Sequence, residues 1–227
     1  MRLILVRHYK TTSNETGKIM GWGDAPPAKN WQEDSNNVAQ VLLNAHLNSQ
    51  IIYTSSLARA INTGKFYADI LGIKQVQDTP ALNEVNYGKL YNKSKKWAEK
   101  FVHGHKKDPG LVYPDGESFN QMKTRCIAFI ESISKKHADE TVLIVVHAGI
   151  IRCLVSHFLK LDYANNLQRK IGHRYIGDFT IKGNDCIRYN ELGKESEFIT
   201  KGIIKLQADK KSLTSVMTDE TASYTLQ

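Results

Sequence analysis

The sequence predicts an α/β protein built on a mostly parallel sheet. The first observation is a pair of apolar runs, Leu3-Ile4-Leu5-Val6 and Val142-Leu143-Ile144-Val145-Val146. Each is short for a helix, rich in branched side chains and without alternation, which is the pattern of a strand buried on both faces. The second observation is how the runs stop: Arg7-His8 follows the first, and His147-Ala148-Gly149 follows the second. A buried strand cannot carry a charged pair in its middle, so these residues belong at the C-terminal edge, where open parallel sheets bind ligands. The third is that segments of helical period lie between the strand-like runs. With the two strands as parallel neighbours, His8 and His147 emerge side by side next to Arg7 and form a pocket for an anion, most simply phosphate.

Taken in order, Tyr9 to Asn14 reads as a polar loop, and Gly17 to Pro27 as a second loop rich in Gly and Pro. Trp22 and Trp31 lie close together in sequence; local packing is the commoner use of such a pair, and a wall of the pocket is the other. Val38, Val41, Leu42 and Ala45 recur at helical spacing and predict a helix from about Asp34 to Leu47. Ile51 to Thr54 predicts a strand. Ser55-Ser56 then supplies a natural N-cap for a helix that runs to about Leu71 and stops at Gly72. Arg59 falls in the first turn of that helix. A cation there opposes the helix dipole, but a bound anion gains from both the guanidinium and the dipole.

A short strand is expected near Lys74 to Asp78, followed by a loop carrying Glu84. Residues 89 to 107 are dense in lysine, and Trp97 and Phe101 are four apart. They suggest a short amphipathic helix, read either as a solvated surface segment or as a basic flap over the pocket. His103 and His105 invite a metal reading that the scarcity of nearby carboxylates does not support. Pro114 to Ser118 reads as a turn, and Met122, Cys126, Phe129, Ile130 and Ile133 mark one face of a helix from about Ser118 to His137. A helix from Ile150 to about Leu159 follows the second histidine. Ile176 to Ile181 and Cys186 to Tyr189 read as an edge hairpin.

At 227 residues the chain fits one domain, with core enough for two or three layers. The expected organisation is a catalytic domain over residues 1–207, with a lysine-rich flap at about 89–113, and a flexible tail over 208–227. The net charge of +8 favours anionic ligands. Nucleic acid is not expected, because there is no binding motif and no ladder of basic and aromatic residues. No run approaches the length of a membrane span, and no signal peptide is visible. Three widely spaced cysteines, Cys126, Cys153 and Cys186, suit a reducing compartment, so a cytoplasmic location is expected.

Six segments in order carry a closer resemblance. They are Leu5-Val6-Arg7-His8 with Thr11 and Asn14, Gly21 to Pro26, Ser55 to Ala60 with Thr63, Leu82-Asn83-Glu84 with Gly88, Pro114 to Ser118, and Val145 to Gly149. Together, over roughly residues 1 to 190, they resemble the histidine phosphatase superfamily and its phosphoglycerate-mutase-like fold. The resemblance implies a three-layer α/β/α sandwich with a mostly parallel central sheet. It implies that His8 is the nucleophile that becomes a phosphohistidine, that Arg7, Arg59 and His147 hold the phosphoryl oxygens, and that Glu84 protonates the leaving oxygen and then activates water. Asn14, Thr11, Tyr9, Trp22 and Ala148 are the expected substrate-binding residues. No metal and no cofactor is called for. The chain departs from the family where Tyr9 replaces the usual glycine after the nucleophile, a position from which a side chain can narrow the pocket or touch substrate.

The reading that follows is a metal-independent phosphatase acting on a small phosphomonoester. The resemblance implies a longer insert in the family's glycolytic mutases, so the short segment between Glu84 and Pro114 argues against the alternative of a mutase-type phosphoryl transferase. A phosphate-binding or signalling member of the fold with little turnover is the third reading. The expected partner is a small phosphorylated substrate, with a homodimer left open and no nucleic acid or membrane.

Overall fold

The computed structural model describes residues 1–183 and 185–192, together with the backbone of 213–218 and 221–226. The first apolar run forms β1 (Arg2–Arg7). It lies between β4 (Thr141–Val146), which is parallel to it, and β5 (Ile176–Lys182), which is antiparallel. The parallel half is completed by β2 (Ser49–Ser55) beside β4 and by β3 (Gln75–Thr79) at the edge. Beyond β5 runs β6 (Asp185–Glu191), antiparallel, as the hairpin pattern predicts. The body of the mixed sheet is thus β3-β2-β4-β1-β5-β6.

The hairpin is not at an edge. Two strands, β7 (Leu213–Thr218) and β8 (Thr221–Leu226), continue the sheet, with β8 antiparallel to β6. They fall inside the segment read as a flexible tail. The residues between and around them lie outside the described residues. Their Thr, Val and Tyr content favours extended backbone, a signal that a search for apolar periodicity does not detect.

Helices cover both faces, as the three-layer expectation requires. The reason is visible in β1, whose residues alternate between two cores. Leu3 and Leu5, with Val142 and Ile144, pack on α5 (Phe119–Lys136) and α6 (Ala148–Phe158). Ile4 and Val6, with Leu143 and Val145, pack on α2 (Trp31–Asn44) and α3 (Ala58–Leu71). All eight strand side chains are buried. Full burial of each contributes about 1.5–3 kcal/mol, which fixes the strand pair under the site.

Local signals explain the ends. Ser118 caps α5 in a reciprocal box with Gln121. Gly72 ends α3 at φ +68°. The expected serine cap of α3 is not formed, because the hydroxyl of Ser56 donates to Asn83 Oδ1 (2.9 Å) and that of Ser55 meets His147. The first loop contains a short helix, α1 (Thr12–Glu15), capped by Thr11. Within the lysine-rich segment the helix is α4 (Glu99–Lys107); Trp97 precedes it and is exposed. A last short helix, α7 (Tyr163–Leu167), follows α6. Among the described residues no helix is long and apolar enough to cross a membrane, and the three cysteines are buried and free.

Candidate active site

The carboxyl ends of β1, β4 and β2 open at one edge of the sheet and deliver His8, His147 and Ser55 to the same place. Backbone pairing continues one step past β1, where His8 N–H donates to Val146 O (2.9 Å). The two imidazoles are both buried, with ring centres 5.0 Å apart. His8 Nδ1 lies 2.6 Å from the carbonyl oxygen of Tyr9. A carbonyl only accepts, so Nδ1 carries the proton and Nε2 keeps its lone pair. His8 is held with one defined free nitrogen, Nε2.

Burial pushes the His8 imidazole well below the usual histidine range, and the charges of Arg59, His147, Arg7 and His173 add to this. The ring is therefore neutral at pH 7. His147 is depressed in the same way, by burial first and then by Arg59, Arg7 and Arg125. Its Nε2 is 2.7 Å from Ser55 Oγ, and its buried Nδ1 has no hydrogen-bond partner among the described residues. With Ser55 donating to Nε2, Nδ1 carries the proton and becomes a donor with no acceptor among the described residues.

Arg7 and Arg59 flank the pair. Arg7 donates through Nη1 to Ile171 O. The Arg59 guanidinium, 1% exposed, donates to Gly23 O (2.7 Å) and Gly21 O (2.7 Å) and pairs with Asp24 (3.2 Å), so it also closes the Gly21–Asp24 loop over the site. Its Nε has no partner among the described residues. A phosphoryl group takes such leftover donors well, because charge-assisted hydrogen bonds to oxyanions are about twice as strong as neutral ones.

Glu84 completes the group. Its carboxylate accepts the N–H of Gly149 through Oε2 (3.0 Å) and that of Val85 through Oε1 (3.0 Å). Gly149 is in the first turn of α6, where backbone N–H groups have no intrahelical partner. The backbone around Glu84 is pinned as well. Trp22 Nε1–H and Arg125 Nη2–H both donate to Glu84 O (2.6 and 3.1 Å), and Arg125 pairs with Glu117 (2.6 Å).

Arg7, His8, Arg59 and Glu84 line one cavity of about 1040 Å³, and His147 and Ser55 lie buried behind them. Of the expected substrate-binding residues, Asn14 and Ala148 line it. Thr11, Tyr9 and Trp22 do not, and each has a physical reason. Thr11 is fully buried as the cap of α1, bonded to Asn14. Tyr9 follows His8 on extended backbone, so its ring leaves on the opposite face and packs on Trp31, 4.9 Å between centres. Its N–H donates to Thr63 Oγ1 (3.0 Å), and its carbonyl holds His8; neither task needs the phenol. Trp22 braces the Glu84 backbone from outside. The histidines read for a metal diverge: His105 is buried and stacked on Tyr113, 4.2 Å between centres, while His103 lines the cavity beside Gln168.

Three functional residues escaped the sequence reading. In the sequence Ser55 reads as a cap and as the start of the Ser55–Ala60 segment, with no site role of its own. Arg152 shows itself only through its place one turn below Ala148, a spacing visible in the sequence once Ala148 is in the pocket. His173 donates from Nδ1 to His8 O (2.9 Å) and lies 5.4 Å from the His8 ring, with its own imidazole pushed down to about 3 by burial and Arg7. Nothing in its local pattern marks it.

A family model, the histidine phosphatase superfamily (branch 1), matches residues 3–190. A 2,3-bisphosphoglycerate-dependent phosphoglycerate mutase of Parvibaculum lavamentivorans is 30% identical over 169 residues, 70% of this chain and 80% of that protein. Among solved structures, Bacillus stearothermophilus YhfR matches with a TM-score of 0.72 at 24% identity, over 82% of this chain and 93% of that one. A mycobacterial glucosyl-3-phosphoglycerate phosphatase matches with a TM-score of 0.70 at 21% identity, over 79% and 92%. At these identities the structural matches speak for the fold.

Proposed function

The chain belongs to the histidine phosphatase superfamily, and from that premise we propose that it is a phosphatase hydrolysing a small phosphomonoester through a phosphohistidine on His8. The observation that carries the reading is the buried, neutral His8 ring, with Nδ1 tied to Tyr9 O and Nε2 left to attack. Nε2 forms the N–P bond as the ester P–O bond breaks, and Glu84 gives its proton to the leaving oxygen. Water then attacks phosphorus, Glu84 takes the proton back, and the N–P bond breaks to release phosphate. Transferring phosphoryl groups spread negative charge over three oxygens, so Arg7, Arg59 and His147 act by charge stabilisation. A unit charge pair near 4 Å is worth roughly 4 kcal/mol at an effective dielectric of about 20, enough to lower the barrier by orders of magnitude when two arginines act together.

The mutase alternative draws on the name of the curated relative. The third reading, binding without turnover, draws on Tyr9 and on the lysine-rich flap; the buried phenol removes the first motive, and the flap lysines that line the cavity leave the second.

The test is phosphate release from p-nitrophenyl phosphate and a panel of phosphorylated metabolites, with EDTA present, for wild type and His8→Ala. Release that needs His8 and ignores the chelator is expected, with a loss of about 10³-fold or more in the variant. Turnover that survives in His8→Ala would remove the phosphohistidine. Radiolabel passing from the enzyme to a phosphoglycerate hydroxyl faster than to water would turn the assignment to the mutase.

A further inference from the structure

Burial and the neighbouring cations keep the His8 ring neutral, but neither decides which of its nitrogens carries the proton. That rests on the bond from Nδ1–H to Tyr9 O (2.6 Å), which is only as firm as the peptide preceding that carbonyl. The His8–Tyr9 peptide is held at both ends. Its N–H donates to Thr63 Oγ1 (3.0 Å), and the Thr63 hydroxyl donates to Arg59 O (2.6 Å) on α3. Its C=O accepts the Nδ1–H of His173 (2.9 Å).

The sheet brings His173 to this place. β5 runs antiparallel to β1 with Val6 opposite Ile176, so the residues just before β5 pass those just after β1. Arg7 donates through Nη1 to Ile171 O, two residues from His173. One short segment therefore receives Arg7 and holds the backbone of His8. An imidazole suits the task on two counts. Its ring is rigid and packs edge-on against that of His8, 5.4 Å between centres and 73° between planes. It is also an uncharged donor. A carbonyl only accepts, so Nδ1 carries the proton, and burial, with the charge of Arg7 next, lowers the imidazole to about 3.

We propose that His173 is a positioning residue for phosphoryl transfer: with Thr63 it clamps the His8–Tyr9 peptide, so that Tyr9 O keeps the proton on His8 Nδ1 and leaves Nε2 for phosphorus. Without the clamp the peptide can turn and Tyr9 O can leave Nδ1. The proton then distributes over both ring nitrogens, and the form protonated at Nε2 cannot attack. His173 acts through backbone alone, but a nucleophile misplaced by about 1 Å loses on the order of 10²-fold in rate.

The inference rests on the phosphatase reading, and the experiment separates the two. Ring-nitrogen NMR of the full chain, isotope-labelled in histidine, reads the tautomer without turnover, with His8 assigned by its loss in His8→Ala. Wild type should show His8 protonated at Nδ1. In His173→Ala its two nitrogens should move toward the averaged shifts of a tautomer mixture. With p-nitrophenyl phosphate, kcat should fall about tenfold or more in that variant, while KM changes less than about threefold. Asparagine carries an amide N–H where histidine carries Nδ1, and glutamine where it carries Nε2. His173→Asn should therefore restore the tautomer and about half or more of the wild-type kcat, and His173→Gln should restore neither. A merely structural role would track the melting temperature instead of the position of the donor. An unchanged His8 tautomer in His173→Ala, or equal losses in His173→Asn and His173→Gln, would overturn the proposal. Should His173→Ala not fold, the comparison of His173→Asn with His173→Gln decides alone. Wild type that releases nothing from any ester refutes the phosphatase reading instead, and the spectra still decide whether His173 sets the tautomer.

Discussion

A histidine that attacks phosphorus must be unprotonated, and His8 is kept so by its neighbours as well as by burial. Arg59 is the largest of the charges that act on it. The sign of its effect follows directly. A nearby positive charge disfavours the imidazolium, so removing that charge raises the His8 pKa. In wild type the acid limb of kcat/KM should lie well below pH 6.5, because only the neutral ring attacks. In Arg59→Met the limb should move to higher pH, on top of a loss of about 10²-fold or more in the plateau rate from the missing oxyanion contact. A limb that stays in place while the plateau falls would mean that Arg59 serves the phosphoryl group and the Gly21–Asp24 loop without tuning the nucleophile. The pH–rate profile separates these roles, which a single rate cannot.

At the scale of elements, the start of α6 shows how a helix can position an acid. Gly149 offers its N–H to Glu84, and a Cβ at that position would lie 2.0 Å from Glu84 Oε1. The obstacle is the end of a flexible side chain, so Gly149→Ala can be accommodated by moving the carboxylate. The helix itself gains slightly from the change, since glycine loses more backbone freedom than alanine on entering a helix. Stability should therefore be kept or slightly raised, while kcat falls by about 10²-fold as the acid is displaced by an ångström or more. Unchanged kcat with a lower melting temperature would contradict this account. The His-Ala-Gly stretch was legible as a site in the sequence because it interrupts a buried-strand pattern. That the glycine must stay bare was not, because the reason is a carboxylate 65 positions away. The same holds for Ser55: a serine after a strand reads as a cap, and only the pairing of β2 with β4 turns it toward His147. What periodicity reports is which face is buried, and partners brought together by the sheet are outside its reach.

At the scale of the whole molecule, the parallel half of the sheet was readable because its strands are continuous apolar runs, whereas the far side mixes polar residues into its strands. Glu191 is the sharpest instance. It sits at the end of β6, 6% exposed, opposite Gly177 of β5, and accepts the Tyr189 hydroxyl proton through Oε2 (2.9 Å). Burial pushes its carboxyl up to about 8, against the hydrogen bond from Tyr189 and the charge of Arg169, which pull the other way. The folded protein thus keeps a proton on Glu191 where the unfolded chain, with an ordinary glutamate near 4.5, has lost it. Between those two values the folded state binds more protons, so its stability falls as pH rises, from full below about 4.5 to a constant deficit above about 8. The deficit should be on the order of a few kcal/mol, at about 1.4 kcal/mol per unit of separation. Glu191→Gln preserves the acceptor for Tyr189 and removes the titration. Urea unfolding at pH 5.5 and pH 8.5 should therefore show wild type losing more stability than the variant over that interval, with the variant the more stable at the higher pH. Parallel losses in the two proteins would mean that the carboxyl is already ionised in the fold, with Arg169 compensating its charge. Glu191 closes the strand that joins the histidine-bearing half of the sheet to β8. If the carboxyl ionises as predicted, the loss should spread along that edge first, and amide exchange in β5 and β6 should quicken at pH 8.5 while β1 and β4, which carry the histidines, stay protected.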